Sequence, residues 1–119
     1  KTRLVIPVSA DATKQGLANI KEAMAKPDVK FGGYNGSARF CLDRNVMPKE
    51  ALDWASKSVG MEKKFWNLHT LACAQAANGM AKEAVSTAEE SMKLAQEAKN
   101  EAYVKMNREK IQEWTNSGK

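Results

Sequence analysis

The chain holds a single histidine and two cysteines among its 119 residues, with no Cys-x-x-Cys pair. Zinc centres and thiol catalysis ordinarily draw on three or four convergent groups, so metal and nucleophilic chemistry start from a thin supply. No apolar run is long enough to read as a membrane-spanning helix. Lys1-Thr2-Arg3-Leu4-Val5-Ile6-Pro7-Val8 lacks the long apolar stretch and small-residue cleavage site of a signal peptide. Because the chain opens on Lys1 rather than Met, the expectation is a piece of a longer or processed protein. Glycine gathers at Gly32, Gly33 and Gly36, but no Gly-Lys-Ser/Thr follows and no strand precedes. That removes the phosphate-loop reading and leaves a connector.

What is present fits a globular domain. Apolar residues make up 43% and charged residues 28%, far from the composition of a disordered chain. The length suits one hydrophobic core and is short for two ordinary domains. The net charge of +5 raises the question of nucleic acid, but the charges are not segregated. Lys82-Glu83, Glu89-Glu90, Lys93, Glu97, Lys99, Glu101, Lys105 and Arg108-Glu109-Lys110 alternate in sign. This is the pattern of solvated helix faces laced with i,i+4 pairs, not of a phosphate track.

A self-match supplies the architecture. The block Asn45-Val46-Met47-Pro48-Lys49-Glu50-Ala51 returns further along as Asn78-Gly79-Met80-Ala81-Lys82-Glu83-Ala84. The spacing from Asn45 to Asn78 is that of a helical repeat, a unit that buries its apolar face only against a stacked neighbour. Residues 1–9 read as an extended lead-in, with Pro7 barring a central strand position. A helix capped at Ser9 or Asp11 runs to about Lys26 with Leu17, Ile20 and Met24 on one stripe, and Pro27-Asp28 stops it. Residues 27–36 form the connector. The first hairpin covers about 35–59, turning at Asn45–Met47, with Pro48 at the first position of its trailing helix and Gly60 closing it. The second covers about 62–98 and breaks at Asn78-Gly79. Phe65, Leu68, Leu71, Ala72 and Ala76 line its leading helix; Ala84, Val85, Ala88, Met92 and Ala95 line its trailing one. A last helix over about 100–116, capped by Asn100, places Tyr103, Met106, Ile111 and Trp114 on one face. The predicted fold is all-α: a tetratricopeptide-like stack of two helical hairpins with an N-terminal helix and a C-terminal lid helix, spanning 10–119.

The second hairpin is similar to a tetratricopeptide repeat. Leu68, Leu71, Ala72 and Gln75 stand where that family places its leading-helix Trp, Leu, Gly and Tyr, and Ala84 and Ala88 stand at the trailing-helix Ala and aromatic. Gln96 occupies the place of the closing Pro. The first hairpin keeps Ala38, Leu42, Ala51 and Ala55. Nearly end to end, the chain also resembles the C-terminal helical part of the bacterial domain-of-unknown-function family 2911. The residues that carry this are Val5-Ile6-Pro7-Val8, Ala18-Asn19-Ile20, Ala38-Arg39-Phe40-Cys41-Leu42, Glu50-Ala51-Leu52-Asp53-Trp54, Phe65-Trp66-Asn67-Leu68 and Lys82-Glu83-Ala84. The resemblance implies an upstream β-rich domain and export to the bacterial envelope or periplasm; the residues alone leave a cytoplasmic location open. It implies no activity.

Tetratricopeptide arrays hold peptides in a groove lined by their leading helices. Carried over by position, that groove would present Phe40, Asp43 and Arg44 from the first hairpin and Trp66, His69 and Cys73 from the second, with Ala76 and Ala77. Aromatics and an Arg are peptide-contact chemistry. The competing expectation is that Phe40 and Trp66 simply pack beneath the N-terminal helix. His69 and Cys73 share one helix face at i,i+4 and could act as base and nucleophile or as half a metal site, but there is one His in the chain and no third group is predicted to orient the imidazole. Cys41 and Cys73 lie on successive leading helices whose axes stand about 8–10 Å apart, too far for a disulfide, so two unpaired, half-buried thiols are expected. Trp54 and Trp114 read as core filler, and Glu50, Asp53, Glu89 and Glu90 as solvated charges without an apolar pocket to raise a pKa. The expected function is a non-catalytic interaction or structural module of an envelope protein, docking its own upstream domain or a protein partner. The expectation includes no nucleic acid, no metal and no cofactor. The alternative is an accessory domain supporting an enzymatic site in the upstream domain.

Overall fold

The computed structural model describes residues 18–20, 22–24 and 29–117; the extended lead-in over 1–9 and the stop at Pro27-Asp28 lie outside them. Residues 18–20 and 22–24 are helical, and Ile20 and Met24 pack on the core of the first hairpin. Five helices follow: α1 Phe31–Asp43, α2 Pro48–Met61, α3 Phe65–Ala77, α4 Ala81–Glu97 and α5 Glu101–Ser117. Among the described residues there is no strand. The chain is all-α.

Each helix packs on the next, and α1 also meets α3 as α3 meets α5. Two layers result, α1, α3 and α5 on one side and α2 and α4 on the other. Small residues make the contacts: Ala38, Ala51, Ala55, Ala72, Ala74, Ala84, Ala88 and Ala95 are all fully buried. An alanine lets two helices approach closely, near the lower end of the roughly 8–10 Å range. Trp54 and Trp114, each 8% exposed, fill the larger gaps. Helix α3 gives Ala74 to the first core and Ala72 to the second. It is buried on two sides, which explains why its sequence is apolar almost all round.

Three helices end in the same Schellman turn. At the end of α1, Val46 N donates to Cys41 O and Asn45 N to Leu42 O; α3 repeats this with Met80 to Gln75 and Gly79 to Ala76, and α4 with Asn100 to Ala95 and Lys99 to Gln96. The residue after each cap is left-handed, Asn45 at φ 55, Gly79 at φ 80 and Lys99 at φ 60. Asn45 therefore corresponds to Gly79 rather than to Asn78. The leading helices align Phe31 with Phe65, whereas the trailing helices align Pro48 with Ala81. The two offsets differ by a single position, because the first hairpin's turn inserts left-handed Met47. Pro48 takes the first position of α2, and Asn100 Oδ1 caps α5 by accepting from Tyr103 N. Both agree with the sequence reading.

The connector expected at 27–36 is not a loop throughout. Helix α1 begins at Phe31, so Gly32, Gly33, Asn35 and Gly36 are helical and the first hairpin starts before residue 35. Local propensity opposes this, with each glycine costing about 1 kcal/mol relative to alanine. Burial of Ala38 and Cys41 in a core shared with Ala51, Trp54 and Ala55 of α2 outweighs it. Likewise α2 does not close at Gly60 but runs through it to Met61. Leu68 is 2% exposed, while Leu71, Val85 and Met92 are half-buried. Met106, expected on the apolar face of α5, is 38% exposed.

A buried polar chain recurs in both hairpins. Ser58 Oγ of α2 donates to Phe31 O at 2.7 Å and accepts from Asn67 Nδ2 of α3 at 3.1 Å. One period on, Ser91 Oγ of α4 donates to Phe65 O at 2.6 Å and accepts from Asn107 Nδ2 of α5 at 2.9 Å. All four side chains have 0% exposure. Buried polar groups that are fully paired fix one arrangement of their neighbours. Here each set ties the start of a leading helix, the second half of its trailing helix and the next helix along.

Candidate functional site

The second polar chain continues outward to the lone histidine. Asn107 Nδ2 is committed to Ser91 Oγ and to the carbonyl of Tyr103, both at 2.9 Å. Its Oδ1 must therefore be the atom facing His69 Nδ1, at 2.7 Å. An amide oxygen only accepts, so Nδ1 carries the proton and Nε2 presents its lone pair. That lone pair faces Cys73 Sγ at 3.7 Å, one helical turn further along α3. Tyr103 meets the imidazole edge-on, with ring centroids 5.6 Å apart. The orienting group missing from the sequence reading is Asn107, distant in the chain and supplied by the last helix.

Burial sets the protonation states. Desolvation lowers the His69 pKa below its ordinary 6.5; the Asn107 contact opposes this, and the positive charges of Arg39 and Lys110 reinforce it. Desolvation raises the Cys73 pKa above 9.0, with Asp43 adding to it and the Arg39 and Lys110 charges pulling the other way. The resting pair is a neutral imidazole facing a thiol, not an imidazolium–thiolate pair. Cys41 is fully buried rather than half-buried, and its thiol is also pushed up, by desolvation and then by Glu50. Neither cysteine is in a disulfide.

His69 and Cys73 open on a cleft of about 430 Å³ between α1, α3 and α5. Its walls carry Leu42, Ala76, Ala77, Met106 and Trp114, and its rim carries Arg39, Asp43, Lys110 and Glu113. Arg39 pairs with Asp43 at 2.9 Å and Lys110 with Glu113 at 3.6 Å. Of the six groove candidates, the structure brings Asp43, His69 and Cys73 together here. The other three lie elsewhere. Phe40 packs on the first-hairpin core and carries the Arg44 guanidinium 3.9 Å from its ring centroid. Trp66 stacks on Phe31 at 5.5 Å. Arg39, Lys110 and Asn107 went unnoticed in the sequence because they read as ordinary surface or helix residues. The single available signal was Ser58 and Ser91, which recur at the same period as the rest of the trailing helices.

Among the described residues no group of three or more His, Cys, Asp or Glu side chains could hold a metal. No helix of the described residues is long and apolar enough to cross a membrane. No family model, curated protein or solved structure matches this chain.

Proposed function

We propose that this chain is a helical-repeat interaction module whose α1–α3–α5 cleft seats an extended protein segment, from its own upstream domain or from a separate partner. The observation that carries the reading is the convergence of both leading helices and the terminal helix on one concave surface of mixed character. Apolar Leu42, Ala76 and Met106 lie within it, and charges of both signs surround them. Recognition surfaces of this kind take area from the apolar floor and orientation from the polar rim. The setting we propose, an exported bacterial protein with a β-rich upstream domain, rests on the sequence resemblance to family 2911 alone.

The test is a backbone NMR titration with extended peptides of acidic, basic and neutral composition. Shift changes confined to Arg39, Leu42, Ala76, Met106 and Lys110, and weakened by Arg39→Glu with Lys110→Glu, would support the reading. Changes scattered over the α2 and α4 surface, or no binding by any peptide class, would end it. Arg44 and Trp66 are controls in this experiment, because neither lines the cleft.

A further inference from the structure

We infer that Cys73 is a site of mixed-disulfide formation with small anionic disulfides, served by His69 as proton acceptor and by Arg39 and Lys110 as the charges that draw the reagent in. Four observations carry this independently of what docks in the cleft. The Nε2 lone pair of His69 is aimed at the thiol, because Asn107 holds the proton on Nδ1. The thiol lines a cleft of about 430 Å³, roomy enough for a small peptide-like thiol. Two cations stand on its rim, Arg39 from α1 and Lys110 from α5. The other thiol, Cys41, is sealed at 0% exposure and serves as an internal control.

The reaction class follows from what surrounds the sulfur. Acyl transfer at a Cys–His–Asn array needs backbone N–H donors to hold an oxyanion. Cys73 sits inside α3, where the backbone N–H groups are spent on helical bonds. Thiol–disulfide exchange develops its charge on sulfur alone and needs no such donors. In the step, the Cys73 Sγ proton passes to His69 Nε2 as Sγ attacks one sulfur of the disulfide. The S–S bond of the reagent breaks, its second sulfur leaves as a thiolate, and that thiolate takes the proton back from His69 Nε2, restoring the neutral imidazole. Cys73 is oxidised to the disulfide level and one reagent thiol is released. The charged groups that bear on the sulfur are Arg39 and Asp43 from α1, His69 from α3, and Lys110 and Glu113 from α5. Each carboxylate is tied to one of the cations, which leaves the imidazole to accept the proton.

The experiment exposes the full chain to oxidised glutathione, an anionic disulfide, or to cystamine, a cationic one, and follows adducts by intact mass and peptide mapping. Cys73 should form one adduct while Cys41 remains free. The anionic reagent should react at least about tenfold faster at low salt, with the advantage shrinking as salt screens the rim. Arg39→Gln and Lys110→Gln, both on partly exposed side chains, should each erode that preference. His69→Gln should slow the reaction about tenfold near neutral pH and less at alkaline pH, where the thiolate forms without a base. Equal rates with both reagents, or modification of Cys41 as readily as Cys73, would overturn the inference. The comparison of reagents reads on the unaltered protein, so a misfolded variant does not blunt it.

Discussion

Asn107 Oδ1 lies 2.7 Å from His69 Nδ1, and this contact decides the tautomer of the only histidine in the chain. The same amide donates to Ser91 and to Tyr103, so one side chain joins the cleft to the stacking of α3, α4 and α5. Replacing Asn107 by Ala strands the imidazole N–H in a buried position. We expect a loss of about 3 kcal/mol in urea unfolding, the upper part of the range for buried unsatisfied groups. Ser91→Ala should cost about 1–2 kcal/mol, and the double variant should cost less than the sum, because both remove one network.

Acidification should destabilise the fold through His69. Its folded pKa lies below the ordinary 6.5, mainly from desolvation, so the unfolded chain binds more protons just below that value. Stability is therefore full above the ordinary value of 6.5 and falls as pH drops toward the folded pKa. Chemical denaturation from mildly acid to mildly alkaline pH checks this. His69→Gln should flatten the dependence in that window.

The left-handed residues at the three Schellman turns differ in cost. Gly79 adopts φ 80 freely, whereas Lys99 holds φ 60 against its own side chain. Lys99→Gly should raise unfolding stability by about 1 kcal/mol, and Gly79→Ala should lower it by about the same amount. Lys99 is exposed, so no packing is lost in the first exchange.

Glycines inside α1 offer a graded series. A methyl group added at Gly32 or Gly36 meets nothing within 4 Å, whereas at Gly33 it meets Val29 Cγ1 at 3.2 Å. Gly32→Ala and Gly36→Ala should each stabilise by up to about 1 kcal/mol. Gly33→Ala should gain less or lose, because Val29 must move. Thermal unfolding of the three variants ranks them directly.

The hairpin turns, the apolar stripes of α3 and α4 and the Asn100 cap were legible because each depends on neighbours close in the chain. Periodicity of three and four reports one helix face, and asparagine, glycine and proline report the turn. The start of α1 was hidden for the opposite reason. Gly32, Gly33 and Gly36 argue locally for a loop, and the burial of Ala38 and Cys41 against α2 that overrides them is a contact between helices.

By itself the sequence determined that these segments are helices and that they stack at a regular period, since both follow from local spacing and from repetition along the chain. Only the tertiary structure decided where polar chemistry gathers. Arg39, His69, Asn107 and Lys110 come from three helices, and no spacing rule links residues on different helices. They meet because α1 and the last helix both lie against α3, α1 bringing Arg39 and the last helix bringing an amide to the one imidazole and Lys110 to the rim around the Cys73 thiol.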